Sequence, residues 1–538
     1  MEMIQKMPRT RYAVQHQVTE WSYSSGRPYA DPFNEVDLDV VFTGCGGNWR
    51  VPAFWAGDNE WRVRFSPPEP GEYQFETACS DIANSDLHGQ KGVLQVRPYS
   101  GSNPLLMHGA LRVSEDRRHL EHADGTPFFW LGDTWWMAFA ERLGWPEEFQ
   151  RLAADRVAKG FTVIQIVAGL YPDMPKFDER GRNEAGLAWE QDYERINPAY
   201  FDMADLRLQW LVRSGLMPCV LACWGYYLPW LGIAKMKQHW RYVIARWGAY
   251  PVVWCLTGEG AMPYYLSQTR EKDTKDQIAG WTELGRYVRQ TDPYKRLVTI
   301  HPTEVGRDQV DDDSVLDFEM LQTGHAGYSS MPNTFDKLIR ACDRQPTMPT
   351  FVAEFNYEGM AHGSGDEIQR LGFWGSMLSG ALGHTFGANG LWQVNTRSTP
   401  YGPSPHGATW GDLPWEEAHR LPGSRHVGLG AKLLQRYQWW RFEPHQEWVE
   451  PAAGQDDRFA PYAGGIPGQV RLVYSFWSSR YPIKVKHIES DVSYRSFFFD
   501  PRTGRQHTIG TVKPDSDGTW KVPHYPTMAD WVLVLERV

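Results

Sequence analysis

The sequence predicts a multidomain α/β protein: a central (β/α)8 TIM barrel flanked by N-terminal and C-terminal β-sandwich domains. Three observations predict it. Between about residues 104 and 440, strand-length apolar runs alternate with amphipathic helical stretches. Before and after that span, short alternating strands are parted by turn clusters, and no helix of respectable length fits. Two of the central strands, roughly a hundred residues apart, each deliver a glutamate at their C-terminal ends, the face on which such barrels build active sites. The expected domains are 1–103, 104–440 and 441–538.

In the N-terminal part, Val36–Phe42, Trp61–Phe65 and Glu72–Thr77 alternate, with a turn cluster at Pro67–Gly71. The first barrel strand, Phe128–Leu131, runs into Gly132, Asp133, Thr134, Trp135 and Trp136. A helix starting at Pro146 and closing at Gly160 buries Phe149, Leu152, Ala153 and Val157 on one stripe. Phe161–Val167 is strand two, Tyr200–Arg213 a helix, and Met217–Cys223 strand three, with Trp224 and Gly225 at its exit. A helix marked by Ile233, Met236, Trp240, Val243 and Trp247 feeds strand four, Pro251–Gly260, which carries Glu259. The helix through Ile278 and Val288 is halted at Asp292-Pro293; Arg296–His301 and Val315–Gln322 are strands five and six. Strand seven ends at Glu354 within PTFVAEFNYEGM, and the helix Ile368–Leu378 leads to strand eight, His384–Trp392. Residues 393–422, rich in Pro, Gly and Trp, form a long loop at the barrel mouth, where Trp410 and Trp415 are candidates to line a pocket. After a helix near Val427–Arg436 the chain returns to strands at Arg471–Trp477, Ser496–Phe499 and Trp531–Leu535, with a turn at Asp500–Gly504.

Composition narrows the function. The 26 Trp exceed what packing needs, and flat indole faces suit sugar rings as well as cores. A net charge of −10 with no Lys/Arg-rich run argues against nucleic acid. No apolar window approaches a membrane span, and the first fourteen residues lack the apolar core of a secretory leader. A cytoplasmic protein is expected, or a secreted one whose leader has been removed, with homo-oligomers open. Cys219, Cys223 and Cys255 fall in buried strands, Cys45 and Cys79 are close enough in pattern to meet across a sandwich, and no CxxC pair suggests zinc. No cofactor or metal is expected.

Hydrolysing a glycosidic bond takes one carboxyl group to protonate the leaving oxygen and a second to attack the anomeric carbon or activate water. Glu259 as acid/base and Glu354 as nucleophile supply that pair if strands four and seven converge. Glu358 is a rival nucleophile or a sugar-hydroxyl contact. Asp133, His301, Gln322, His325 and His384 fall near strand ends as possible partners of sugar hydroxyls; Trp135, Trp224 and Trp392 are candidate ring platforms. Several histidines at one mouth also admit a metal-dependent hydrolase, against which stands the absence of a His-x-His pair in strand one.

The segments FFWLGDTWW, FDMADLRLQWLVRSGLMPCVLACWG, LDFEMLQTGH, FVAEFNYEG and GALGHTFGANGLW resemble the apiosidase-like glycoside hydrolases over roughly 104–440. Residues 11–98 are similar to the β-sandwich often found ahead of such barrels, and the tail to the small β domain labelled "putative collagen-binding". The resemblance implies an exo-acting barrel glycosidase of the retaining clan A type, with Glu354 at the nucleophile position. Apiosidases place an aspartate at the acid/base position, where this chain has Glu259; clan A enzymes place an Asn before it, where this chain has Gly258. The role survives a change of carboxylate, while the sugar recognised is left open. The alternative from another class is a catalytically silent carbohydrate-binding protein with two β domains and an aromatic cleft.

Overall fold

The computed structural model describes residues 9–360, 363–478, 480 and 482–538. Residues 1–8, on which part of the leader expectation rests, lie outside the described residues. Among the described residues no helix is long and apolar enough to cross a membrane.

Eight parallel strands occupy the centre: β1 (Trp130–Thr134), β2 (Val163–Val167), β3 (Met217–Leu221), β4 (Val253–Cys255), β5 (Val298–Thr299), β6 (Glu319–Gln322), β7 (Thr350–Glu354) and β8 (Gly383–Phe386). Every residue in them is buried, as expected of strands covered on both faces. Among the described residues seven helices of eight residues or more surround them: α1 (Glu147–Lys159), α2 (Pro198–Arg213), α3 (Tyr227–Trp247), α4 (Arg270–Thr291), α5 (Met331–Asp343), α6 (Asp366–Met377) and α7 (Pro422–Leu434). The β5-to-β6 crossover carries two short 3-10 turns in place of a helix.

The ladders run as a six-stranded sheet, β5-β4-β3-β2-β1-β8, and a separate β6-β7 pair. The first and last strands are therefore neighbours. The break between β5 and β6 has a local cause. The segment after β5 uses β6's outer edge: Gln322 N–H donates to Glu304 O (3.0 Å), and Val305 bridges Leu321 in antiparallel sense. Backbone bonds still cross the seams, among them Asp317 N–H to Val298 O (2.8 Å) and Leu382 N–H to Thr350 O (2.9 Å).

Most of these strands are shorter than the sequence suggests, β4 and β6 among them. β5 is two residues long, and β8 stops at Phe386 where residues to Trp392 were expected to continue it. At Gly387 a Cβ would lie 2.1 Å from the Tyr357 ring, so the chain turns there against an aromatic that needs the room.

At the N-terminal end a five-stranded and a three-stranded sheet share one core, in which Phe42 stacks on Phe65 with centroids 3.9 Å apart. Cys45 and Cys79 are both free thiols. This unit is held to the helices around the central strands by charge as well as packing. Buried Arg64 pairs with Asp205 of α2 (2.5 Å), which also takes Arg246 (2.8 Å) and the Trp247 N–H (2.6 Å) from α3. Each buried charge thus meets its opposite, the condition for burying either. The C-terminal six-stranded and three-stranded sheets dock through Arg370 of α6 on Asp530 (2.7 Å), which also accepts the Tyr474 hydroxyl (3.1 Å).

Candidate active site

Glu354 is the last residue of β7, carried there by the fully buried run Phe351–Ala353. The β6–β7 register slips at this point, so that Gln322 pairs with Glu354 and Ala353 is skipped. That bulge brings the Gln322 amide beside the Glu354 carboxylate. Two imidazoles approach the same group: His301 Nε2 lies 3.2 Å from Oε2, and His325 Nε2 lies 3.1 Å from Oε1. Burial works against ionisation of Glu354, but the two histidines outweigh it and hold the carboxyl down at about 2.

Glu259 sits beyond β4 in a loop clamped to both neighbouring strands. Gly258 N–H donates to Cys223 O (2.9 Å), Gly225 N–H to Gly258 O (2.7 Å), and Gly260 N–H to His301 O (3.1 Å). Between these clamps Glu259 adopts a left-handed backbone, φ 45°, a conformation costly for a side chain with a Cβ and kept by the surrounding bonds. Its carboxylate accepts Trp224 Nε1–H (2.9 Å) on Oε2 and Gln322 Nε2–H (3.0 Å) on Oε1. Burial first, and the Glu354 charge second, push the Glu259 carboxyl up, against the opposing donors. Gly258 is explained by the same contact: a Cβ there would stand 2.2 Å from the Trp224 ring, so an Asn cannot coexist with this tryptophan.

The Gln322 amide also reaches Glu354 Oε1, at 3.5 Å. The two carboxylate oxygens that flank it are therefore no farther apart than those two contacts laid end to end, about 6.5 Å. They face a cleft of ≈160 Å³. Trp224, Gln322, His325 and Trp392 line it with the two glutamates, and His301 backs Glu354 from beneath, fully buried.

Five candidates lie elsewhere. Asp133 is fully buried and bound to Arg156 Nε (2.5 Å), Trp135 Nε1 (2.7 Å) and the Thr134 N–H (2.9 Å), so it neutralises an internal guanidinium instead of meeting a sugar. Trp135 packs edge-on against Phe149 of α1, away from the cleft. Its neighbour Trp136 is the one that faces inward, donating to Tyr357 OH (3.0 Å) and standing edge-on to Trp224. His384 is wedged between Phe355 and Phe373, where burial alone pushes its imidazole down to about 3. Glu358 turns under the first turn of α7, where the Gly423 N–H meets both its oxygens (3.1 and 3.0 Å). Trp415 likewise anchors its loop, fully buried beneath Arg151, whereas Trp410 lines the cleft.

Sequence reasoning missed Trp136, Tyr357, Asp173 and Tyr265. Tyr357 stacks parallel to His325 (5.1 Å) and its hydroxyl interacts with Glu354. Its place three residues after the strand-end glutamate was the available signal. Asp173, in the loop after β2, had none. Among the described residues no three His, Cys, Asp or Glu side chains are placed to hold a metal ion.

Comparison with known proteins places the chain in a family. The model of the apiosidase-like catalytic domain matches residues 114–441. A domain of unknown function, DUF5060, matches 13–80, and a "putative collagen-binding domain of a collagenase" matches 445–536. No curated protein matches the chain. Among solved structures, a "putative glycoside hydrolase" from Bacteroides vulgatus superposes with TM-score 0.68 at 18% identity, over 98% of this chain and 100% of its own. A family 5 glycoside hydrolase from the same organism gives 0.66 at 21% identity, over 80% and 93%. A further glycoside hydrolase gives 0.64 at 21%, over 80% and 97%. At such identities the likeness is one of fold. The family match, spanning most of the chain, carries the assignment: this protein belongs to the apiosidase-like family and is a glycosidase.

Proposed function

We propose that the enzyme is an exo-acting, retaining glycosidase in which Glu354 attacks the anomeric carbon of a terminal sugar and Glu259 handles the proton. One observation carries this reading: a single amide, Gln322, touches both carboxylates, and the environments of the two groups push them in opposite directions. Such a pair divides the labour of acid and base. In the first step the ionised Glu354 oxygen forms a bond to the anomeric carbon as the glycosidic bond breaks, and the proton on Glu259 passes to the departing oxygen. In the second, Glu259 takes a proton from water, which attacks the same carbon and frees Glu354. The ≤6.5 Å between the flanking oxygens favours direct attack, since a retaining pair stands about 5–5.5 Å apart and an inverting pair roughly 6.5–9.5 Å. Trp136, Trp224, Trp392 and Tyr357 are proposed as the ring-facing walls, with Gln322 and His325 near the sugar hydroxyls. The small cleft suits one ring, which supports the exo assignment.

The same reading treats the six-stranded and two-stranded ladders as one (β/α)8 barrel, because backbone bonds cross both seams and β1 adjoins β8. It treats the flanking sheet pairs as sandwiches and keeps the three domains at 1–103, 104–440 and 441–538.

The test is stereochemical. Wild-type enzyme on an aryl glycoside should release the retained anomer at early times by NMR, and Glu259→Ala with azide should give a glycosyl azide of retained configuration. An inverted first product discards the covalent step; a retained azide from Glu354→Ala instead reverses the two roles.

A further inference from the structure

The loop after β8 does not hang free over the cleft. Its Tyr401 hydroxyl donates to Pro172 O (3.2 Å), and Arg180, from beyond β2, holds Tyr401 O (3.1 Å) while its guanidinium lies 4.7 Å from the Tyr401 ring. The centre of this junction is Asp173. Ser404 Oγ donates to its Oδ1, and Trp410 Nε1–H donates both to its Oδ2 (3.0 Å) and to Ser404 Oγ (2.9 Å). Tyr265, from the loop that carries Glu259, interacts with the same carboxylate, and His406 of the β8 loop stands 4.9 Å from the Tyr265 ring. Asp173 is 2% exposed, has a left-handed backbone (φ 59°) and lines the cleft with Tyr265, His406 and Trp410. Loops from three strands thus converge on one carboxylate that no catalytic step uses. A buried carboxylate satisfied by donors from separate loops holds those loops in one arrangement, because freeing any donor would leave a buried acceptor short of a partner.

We propose that Asp173 sets the length specificity of the enzyme: by tying the β8 loop, through Ser404 and Trp410, onto the β2 and β4 loops, it walls off the cleft beyond one sugar and confines cleavage to chain ends. This rests on the glycosidase reading above. In the other arrangement, with the tie cut, Trp410 would be free to swing from the wall and a second ring could continue along the cleft. Asp173 is in this sense a specificity-determining residue and takes no part in bond breaking.

The experiment compares p-nitrophenyl monosides (apioside, arabinoside, galactoside) with the matching p-nitrophenyl biosides, in which the ring next to the aglycone carries a further sugar. Direct release of p-nitrophenol from a bioside, with free disaccharide as co-product, requires a second ring to fit. For the sugar whose monoside it cleaves, the wild type should show no direct release from the bioside. The Asp173→Asn variant, and separately the Ser404→Ala/Trp410→Phe double variant, should raise the bioside-to-monoside ratio of kcat/KM by about tenfold or more. Asp173→Asn keeps the volume and Trp410→Phe removes the N–H together with part of the indole, so either variant reports if the other fails to fold, and the Asp173→Asn ratio decides where the two disagree. A ratio unchanged in the folded variants, or direct bioside cleavage by the wild type, overturns the role of Asp173 while leaving the glycosidase reading intact. Failure of the wild type on every monoside and bioside sinks that reading and the proposal with it.

Discussion

Glu354 and Glu358 leave β7 four residues apart, both nearly inaccessible to solvent, and their environments drive them in opposite directions. Glu354 is approached by two imidazoles and an amide and is held near 2; Glu358 has one backbone N–H, that of Gly423, and burial pushes it up to about 8. Burial alone disfavours the charged form of either. The difference teaches that β7 does not make a nucleophile by burying a carboxylate. The neighbouring strands do so, by sending His301 from beyond β5 and His325 from beyond β6 to meet it.

The largest effect should separate the two glutamates outright. Glu354→Gln should lower kcat/KM by about 10⁴-fold or more, the scale on which removing a nucleophile acts. Glu358→Gln, assayed near pH 6, should stay within about threefold of wild type, because its carboxyl touches a helix start and not the cleft. Comparable losses from both would mean that Glu358 belongs to the machinery and that the contrast is misdrawn.

A smaller effect tests the source of the contrast. His325→Ala removes one of the groups that lower Glu354, so burial regains weight and the carboxyl rises. Turnover needs Glu354 ionised, and the acid limb of the pH profile therefore moves to higher pH. We expect a loss of about tenfold in kcat/KM at neutral pH and a larger one near pH 4. An acid limb that stays in place, measured from pH 3 to 9, would show that His325 only shapes the cleft.

Much of this was legible in the sequence, for reasons particular residues make plain. Apolar runs closed by Gly or Pro marked the strands of β3, β4 and β7, and strand-end position picked out Glu259 and Glu354 as candidates. What strand-end position cannot convey is which way a side chain turns once the strand is over. Asp133 sits at such an end and points into Arg156; Trp135 and Trp136 are adjacent and identical, and only packing against Phe149 decides which is spent on the core. His384 lies within β8 but on the face toward α6, a distinction that two-sided burial erases from the pattern. Asp173 was illegible because its partners, Ser404 and Trp410, come from more than 200 residues away.

The smallest effect is one of stability, and its sign again separates the two glutamates. Glu358 has a folded-state value near 8 against 4.5 for the free side chain, so between those limits the folded protein keeps a proton that the unfolded chain releases. Its contribution is fully present below 4.5 and is lost as pH rises through about 8. For Glu354 the order is reversed: its contribution is present above 4.5 and lost as pH falls through about 2. A Gln at 358 still accepts the Gly423 N–H and has no charge to bury. Glu358→Gln should therefore melt close to wild type at pH 5 and be more stable at pH 9, by about 1–2 kcal/mol once relaxation around a buried charge is allowed for. Glu319, the first residue of β6, pushed up to about 7 by burial, adds a slope of the same sign that the substitution leaves in place. Thermal melts of the two proteins at both pH values read the difference directly. A gap equal at pH 5 and pH 9 would mean that Glu358 ionises as an ordinary carboxyl, and that the two glutamates differ in position but not in charge.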